Sequence, residues 1–401
     1  MTDLPRHTLR IPAVLMRGGT SRGLVFKRED LPDDKDLRDM IFLAALGSPD
    51  LRQLDGVGAG DSHCSKVAIV SPSASADADV DFLFGEVAIG EARVDYAGNS
   101  GNIISALGSF ALDEGWVAAR EPETLVRINN LNTGKPIELL VPVRDGRADE
   151  DGEFHIDGVP GFGPRIDMRF PDPGGAVTGR LLGEDGPRSH LAVAGLGDVE
   201  ATLIDAANPV VFVDGAALGV DPATPPPALN AERALLERLQ AIRAAAAVRL
   251  GLVARPEDAW GYSPMVPFLV MLFAPCAYPS FSDRERTLAP VDMDLCARVL
   301  SLNLVHKSIN VTVSVATTAA ALVPGTLVHA VSRGAAASGA LRIGHPSGVV
   351  HTLGAAHQTN GQWHIDWVRL GRTARRIMQG EILVQPSKLR WLAQLRAHGR
   401  R

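Results

Sequence analysis

The length, composition and charge of the chain exclude several classes of protein. Its 401 residues exceed what a single hydrophobic core usually organises, which predicts two domains. With 46% apolar and 21% charged residues the chain has a globular composition, and its 40 glycines and 27 prolines favour many strands joined by tight turns. The net charge of −6, with scattered lysines and arginines, argues against a nucleic-acid partner, which needs a concentrated basic face. The one basic cluster, residues 396–401, is interpreted as a solvated tail.

Cysteine usage and hydropathy indicate the compartment. Cys64, Cys276 and Cys296 form neither a CxxC pair nor a disulfide framework, which fits a reducing environment. No signal peptide is predicted at the N-terminus. The most apolar stretch, residues 265–274, is too short to cross a bilayer and is interpreted as a buried strand. We therefore expect a cytoplasmic protein with no membrane partner, and a homodimer is the default expectation for its oligomeric state.

The first half of the chain is rich in strand patterns. Short runs of β-branched residues bounded by turn residues predict strands at 9–16, 66–70, 79–96, 124–130 and 137–143. Only one long helix is predicted among them, after Ser100, with apolar residues at helical spacing at Ile103, Ile104, Leu107, Phe110 and Ala111. A curved sheet wrapped around this helix is expected. Residues 170–190 are dense in Gly, Pro and charge and predict a boundary, which gives domains 1–185 and 186–401.

The second half repeats this plan. Strands are predicted at 199–215, followed by an amphipathic helix capped by Asn230 whose buried stripe is Leu235, Leu236, Leu239 and Ile242. A short helix is predicted at 293–302. Beyond His306, a polar start followed by a run of small apolar residues up to Gly325 favours a second central helix. Each half would then contain one central helix with a polar N-terminus.

The entrance of the first central helix, Gly98-Asn99-Ser100-Gly101-Asn102, is wider than a cap requires. The first N–H groups of a helix have no intrahelical acceptor and lie at the positive end of its dipole, so they bind carboxylates or phosphates. Glycines allow a ligand to approach the backbone closely. An ordinary cap in a turn is the alternative, but the interleaved glycines and asparagines favour an anion site.

Two segments near predicted strands carry further candidates. The loop at 16–23 supplies Arg17, Thr20 and Ser21 as donors, although it lacks the ending of a phosphate-binding P-loop and a plain glycine turn explains it equally well. Lys66 opens a strand of Val, Ala and Ile, where burial would favour the neutral amine and make it a base. A surface lysine at a strand end is the alternative.

Two other positions have both a structural and a functional interpretation. Asn208, ahead of Pro209, either forms a turn or reaches a substrate carboxylate. His63 and Cys64 are neighbours, but there is no second cluster at ligand spacing, so no metal site is predicted.

Eight segments, in order along nearly the whole chain, resemble the methylaconitate isomerase family, which includes methylitaconate Δ-isomerases and 4-oxalomesaconate isomerases (tautomerases). They are MRGGTSRG, GDSHCSKVAIVSPS, GNSGNIISALGSFAL, NNLNTGKPI, PGFGPRIDMRFPDPGGAVTG, DAANP, RIGHPSG and RTARRIMQGEI. The resemblance implies an α/β (α+β) fold of the diaminopimelate-epimerase type. Such a fold has two similar domains, each with a strand layer wrapped around a central helix, and the active site lies in the cleft between them.

The resemblance also assigns roles to residues. Lys66 matches the catalytic lysine, and Ser100 stands where the family has a catalytic cysteine in an Asn-Cys-Gly-Asn motif. The implied substrate-binding residues are Arg17, Thr20, Ser21, Ser65, Asn99, Gly101, Asn102, Asn208, His306 and Ser308. Either the serine is natural or it replaces a cysteine, and the close match of its neighbours favours replacement. Diaminopimelate epimerases use two cysteines that this chain lacks, so racemisation of amino acids is not expected.

The implied reaction is a 1,3-allylic proton shift in an unsaturated polycarboxylate. It requires no metal, nucleotide or organic cofactor. The favoured substrate is 4-oxalomesaconate, an intermediate in the breakdown of protocatechuate and gallate, and 2-methylaconitate of propionate metabolism is the alternative. A non-catalytic polycarboxylate-binding protein is a hypothesis of another class, raised by Ser100 alone.

Overall fold

The computed structural model describes residues 4–332 and 338–399, so Arg400 and Arg401 of the basic cluster lie outside it. The helices are α1 (Lys35–Leu46), α2 (Gly101–Asp113), α3 (Pro226–Ala231), α4 (Arg233–Arg249), α5 (Ala259–Tyr262), α6 (Val311–Leu322), α7 (Leu327–Val331) and α8 (Pro386–Gly399). The strands of the first half are β1 (Leu9–Gly18), β2 (Ser21–Lys27), β3 (Lys66–Pro72), β4 (Val80–Val87), β5 (Val94–Asp95), β6 (Glu123–Asn130), β7 (Pro136–Arg144), β8 (Arg147–Ala148) and β9 (Ile166–Pro171). Those of the second half are β10 (Ser189–Val193), β11 (Gly197–Ala206), β12 (Asn208–Asp214), β13 (Phe268–Phe273), β14 (Tyr278–Pro279), β15 (Thr287–Leu288), β16 (Leu295–Ser301), β17 (Leu304–Val305), β18 (Ala340–His345), β19 (Gly348–Thr359), β20 (Gln362–Arg372) and β21 (Ala374–Val384).

Two strand layers with the same pairing pattern make up the fold. The first runs β21-β1-β2-β3-β4-β6-β7-β9 and the second runs β10-β11-β12-β13-β16-β18-β19-β20. In each layer the third and fifth pairings are parallel and the others antiparallel. β9 pairs with β20 and joins the layers. The repeat that the sequence predicted as an architectural likeness is confirmed in this topology.

Each layer wraps around one apolar helix. α2 follows β4 and β5, and α6 follows β16 and β17, so the two helices occupy equivalent places. The predicted inward residues of α2 are at most 1% exposed, and every residue of α6 is buried. Residues of both helices belong to one continuous apolar cluster. The expectation of an α/β fold with two similar strand layers, each wrapped around a central helix, is therefore confirmed.

Most sequence-predicted elements are confirmed, but one predicted helix and one predicted cap are wrong, and one helix was not predicted. Residues 293–302 do not form a helix, because β16 is a fully buried strand between β13 and β18. Asn230 does not cap α4, since its side chain bonds the backbone of Val305 instead. The first half also contains a second long helix, α1, whose Asp34 cap accepts a hydrogen bond from the Leu37 N–H.

The end of the chain returns to the first half. β21 pairs with β1 along its length, and α8 packs against α1. The domain boundary at residue 185 stays a prediction. A boundary at that residue would assign β21 and α8 to the second domain, although both pack against elements of the first half. Within 4–332 and 338–399, no helix is both long enough and apolar enough to cross a membrane.

Candidate active site

Lys66 and Glu86 form a buried pair on neighbouring strands. They lie directly opposite each other in the β3–β4 register, so both side chains leave the sheet on the same face. The Lys66 Nζ and Glu86 Oε2 atoms are 2.5 Å apart, and the two residues are 4% and 1% exposed. The ring of Phe84 lies 5.6 Å from the same Nζ. The lysine is therefore an interior group and not a surface residue at a strand end.

The environment of Glu86 sets its charge. Burial raises the pKa of Glu86 to about 7 against the opposing effect of Lys66, and the carboxylates of Asp95 and Asp61 raise it further. Its second oxygen, Oε1, has no hydrogen-bond partner among the described residues. A carboxyl group with this pKa changes protonation state near neutral pH.

A network of short polar side chains joins the two halves. Thr20 Oγ1 is 3.1 Å from Ser308 Oγ and accepts a hydrogen bond of 3.1 Å from the Asn102 side-chain amide. Ser308 Oγ is also 3.2 Å from His63 Nε2, and the rings of His63 and His306 lie 3.9 Å apart. Four sequence-predicted residues, Thr20, Asn102, His306 and Ser308, therefore meet at one place.

The histidines of this network have different electrostatic surroundings. Burial lowers the pKa of His306 well below its usual value, so His306 is neutral. His63 Nδ1 lies 2.8 Å from Asp61, which also accepts a hydrogen bond from Lys307. Burial alone would raise the pKa of Asp61, but the hydrogen bonds from His63 and Lys307 outweigh it and lower that pKa.

The N-termini of α2 and α6 meet without capping side chains. Neither Ser100 nor Asn310, the residues that precede the helices, makes a side-chain capping bond. The first intrahelical bond of α2 comes from the Ile104 N–H to Ser100. A Cβ added to Gly101 would lie 2.4 Å from Val311 Cγ1, so the helix ends approach closely. Two positive helix ends therefore converge on one region.

Asn99 and Asn208 tie these ends together. The Asn208 amide donates to the Asn99 carbonyl at 3.2 Å and to Thr312 Oγ1 at 2.8 Å, while the Asn99 amide donates to the Ala207 carbonyl at 2.7 Å. The side-chain oxygens of Asn99 and Asn310 are buried without a partner among the described residues. These hydrogen bonds hold the backbone at the two helix N-termini in place. The two side-chain oxygens remain able to accept a further hydrogen bond.

Three sequence-predicted binding residues have no hydrogen bond to this network within the described part of the chain. Arg17 donates to the carbonyl and hydroxyl of Thr373, at 2.8 and 3.0 Å. Ser65 donates to the Val87 carbonyl and accepts from Gln53. Ser21 is buried opposite Gly18 in the β1–β2 hairpin. Their contact with a substrate stays a prediction.

The sequence analysis did not identify Glu86. It considered His63 only as a metal ligand and predicted no metal site there. The position of Glu86 in β4 could have identified it. Val80, Phe82 and Phe84 alternate along this strand on the buried face, and Glu86 is the next residue on that face. A charged residue that continues an inward-facing series needs a buried partner. In the described part of the chain, no group of three or more His, Cys, Asp or Glu residues is arranged to hold a metal ion.

The comparisons with known proteins identify the family. Residues 8–385 match the family model described as PrpF protein, and the chain belongs to this family. It is 40% identical to 3-methylitaconate isomerase of Eubacterium barkeri over 95% of this chain and 99% of that protein. It is 36% identical to 2-methyl-aconitate isomerase of Shewanella oneidensis over 94% and 97% of the two chains. It is 46% identical to 4-oxalomesaconate tautomerase of Pseudomonas putida, over 61% of this chain and 66% of that one.

Solved structures show the same fold. A crystal structure of methylitaconate-delta-isomerase matches with a TM-score of 0.76 and 40% identity, covering 96% of this chain and 97% of the other. A hydroxyproline epimerase from Agrobacterium vitis matches in fold alone, with a TM-score of 0.58 and 13% identity over 94% and 93% of the two chains. The epimerase-like fold is confirmed, and the chain is an isomerase.

Proposed function

We propose that this isomerase moves a carbon–carbon double bond in an unsaturated polycarboxylate by a cofactor-independent 1,3-allylic proton shift. The observations that carry the proposal are the buried Lys66–Glu86 pair and the two uncapped helix N-termini that meet at Gly101 and Val311. The pair supplies a base and the helix ends supply donors for anions. The relatives named above supply the substrate class.

In the proposed mechanism Lys66, as the neutral amine, removes a proton from the carbon allylic to the double bond. The electrons of the broken C–H bond move into the conjugated carboxylate or keto group and form an extended enolate. N–H groups at Gly101 and Asn102, with the hydroxyls of Thr20, Ser21 and Ser308, stabilise the enolate charge. The proton then returns to the far carbon from the Lys66 ammonium, or from an acid at position 100. Glu86 balances the ammonium charge while the enolate exists.

Among substrates of this class we favour 4-oxalomesaconate, which would place the enzyme in the breakdown of protocatechuate and gallate. 2-Methylaconitate is the second candidate. The relatives support both, since each is the substrate for which a related isomerase is named. A cytoplasmic location, a small-molecule partner and a homodimer complete the proposal.

An assay panel in deuterated water tests this function. The purified chain is incubated separately with 4-oxalomesaconate, 2-methylaconitate and 3-methylitaconate, and each reaction is followed by proton NMR. We expect isomerisation of at least one substrate, with deuterium incorporated at the far carbon, which receives the proton. Binding without isomerisation or exchange for all three would instead identify a polycarboxylate-binding protein.

A further inference from the structure

A cavity of about 490 Å³ adjoins the proposed site and contains an arginine with an uncompensated charge. Thr20 and Ile309 form the wall toward the site, and Arg165, Arg286, His345 and Arg372 are among the other lining residues. Thr20 belongs to the hydroxyl network described above, and Ile309 directly follows Ser308. The cavity therefore opens beside the groups that would hold the reacting part of a substrate.

Arg372 is the unusual member of this lining. The residue is 6% exposed, its Nη1 donates to the carbonyl of the preceding Gly371, and its Nε is buried without a partner. Within residues 4–332 and 338–399 it forms no ion pair, whereas Arg165 pairs with Asp167 and Arg286 pairs with Asp157. A buried guanidinium without a counter-charge is costly, and a carboxylate matches its planar donors.

The other charged groups of the cavity do not neutralise Arg372. The oxygens of Asp157 accept hydrogen bonds from Arg286 and from the Val349 N–H. His345 is neutral at physiological pH, because burial lowers its pKa to about 3. Burial is also the cause that lowers the pKa of Arg372 to about 10, which still leaves its guanidinium charged. Within the described part of the chain, the charge of Arg372 is thus left without a counter-charge.

Gly19 connects this charge with the site. A Cβ placed on Gly19 would lie 2.1 Å from Asn102 Oδ1 and 3.2 Å from Arg372 Cδ, so both side chains converge on the same glycine. Gly19 also has a φ of +51°, which favours glycine. A ligand bound at Asn102 can therefore contact Arg372 through a short substituent.

We propose that Arg372 binds a carboxylate of the substrate remote from the migrating double bond and makes the enzyme selective for tricarboxylates over dicarboxylates. This inference rests on the proposed function, because it takes the substrate to be an unsaturated polycarboxylate. 4-Oxalomesaconate and 2-methylaconitate have a third carboxylate for this subsite, and 3-methylitaconate has only two.

Kinetics of Arg372→Met test the proposal, with Arg369→Met as the control because Arg369 is an exposed arginine on the same strand. We expect KM for the tricarboxylates to rise at least about tenfold, as loss of a charged hydrogen bond implies, with kcat changed less. KM for 3-methylitaconate should be unchanged. An equal rise for tricarboxylates and the dicarboxylate, or no rise for either, overturns the proposal.

A second variant and a binding assay separate the alternatives. If Arg372→Met does not fold, Arg372→Lys is the second variant, because it keeps the charge but loses the planar donors. A smaller rise in KM, limited to tricarboxylates, is then expected, and an unchanged KM overturns the subsite.

If the wild type converts no panel substrate, the proposed function fails. Calorimetry with propane-1,2,3-tricarboxylate and glutarate then tests the subsite alone. Tighter wild-type binding of the tricarboxylate that is lost in the variant supports it, and equal binding of both acids overturns it.

Discussion

At the scale of single residues, the Lys66–Glu86 pair explains how an ionisable base is kept inside a sheet layer. Two buried ionisable groups are costly unless each compensates the other, and loss of one partner usually leaves a costly unpaired charge. Glu86 limits that cost, because a carboxyl group with a pKa of about 7 can take up a proton. Substitution of Lys66 therefore leaves a neutral acid in the interior.

We expect Lys66→Met to abolish turnover while substrate still binds, since the helix ends and the hydroxyl network remain in place. The checks are NMR assays of turnover and calorimetric titration of the variant. Lys27→Met is the control, because Lys27 pairs with Glu114 away from the site. Substantial turnover by the Lys66 variant would remove lysine from the role of base.

Ser100 precedes α2 without making a capping bond, so its side chain is not needed to hold the helix end. A thiol at a helix N-terminus ionises far more readily than a hydroxyl. We therefore expect Ser100→Cys to raise kcat, measured with the preferred substrate of the panel, and Ser100→Ala to serve as its reference. A kcat equal to that of the serine form would indicate that position 100 only positions the substrate.

Cys276 and Cys296 form a second chemically distinct pair, with sulfur atoms 3.3 Å apart. The hydrogen bond between the two thiols lowers the pKa of Cys276 to about 7. We expect Cys276 to be alkylated by iodoacetamide faster than Cys64, whose pKa is raised by burial, with a rate that increases through neutral pH. Mass spectrometry of labelled peptides measures both rates. Cys296→Ala should move the midpoint to higher pH, and an unmoved midpoint would contradict this explanation.

At the scale of elements, the close approach of α2 and α6 depends on the missing side chain of Gly101. We expect Gly101→Ala to destabilise the fold by about 1–3 kcal/mol, because its methyl group forces the helix ends apart. Substrate affinity should fall as well, since the two sets of N–H groups separate. Denaturant unfolding and calorimetry measure the two effects. Gly380→Ala is the control, because no atom lies within 4 Å of the Cβ it adds.

Prediction of elements from sequence succeeded where one pattern dominated. Ile103, Leu107 and Phe110 mark a helix by spacing alone, and their burial confirms it. It failed at Leu295–Ser301, because a strand buried on both faces shows no alternation and its residues also suit a helix. The β13 and β18 pairings that decide the outcome lie far away in the chain. The same limit applies to Glu86, whose partner is known only when the β3–β4 register is known.

At the scale of the whole molecule, the return of the chain end closes the outer face of the first layer. Leu389 and Leu392 of α8 join a cluster with residues of α1 and with Val67, Ile69 and Val87, which flank the Lys66–Glu86 pair on their strands. Residues from both ends of the chain thus support the strands that carry the proposed base. Segments so distant in sequence give no local signal of their contact.

This arrangement predicts that the C-terminal helix is required for the stability of the whole fold. Leu389 is fully buried, so Leu389→Ala should lower the free energy of unfolding by about 2–5 kcal/mol through lost burial and an unfilled cavity. Leu383, 58% exposed on β21, provides the matched control, and its change to alanine should cost less than about 0.5 kcal/mol. Urea unfolding followed by circular dichroism measures both. Equal stability of the two variants would show that α8 packs on α1 without contributing to the fold, whereas the expected difference makes the last helix part of the first layer's support.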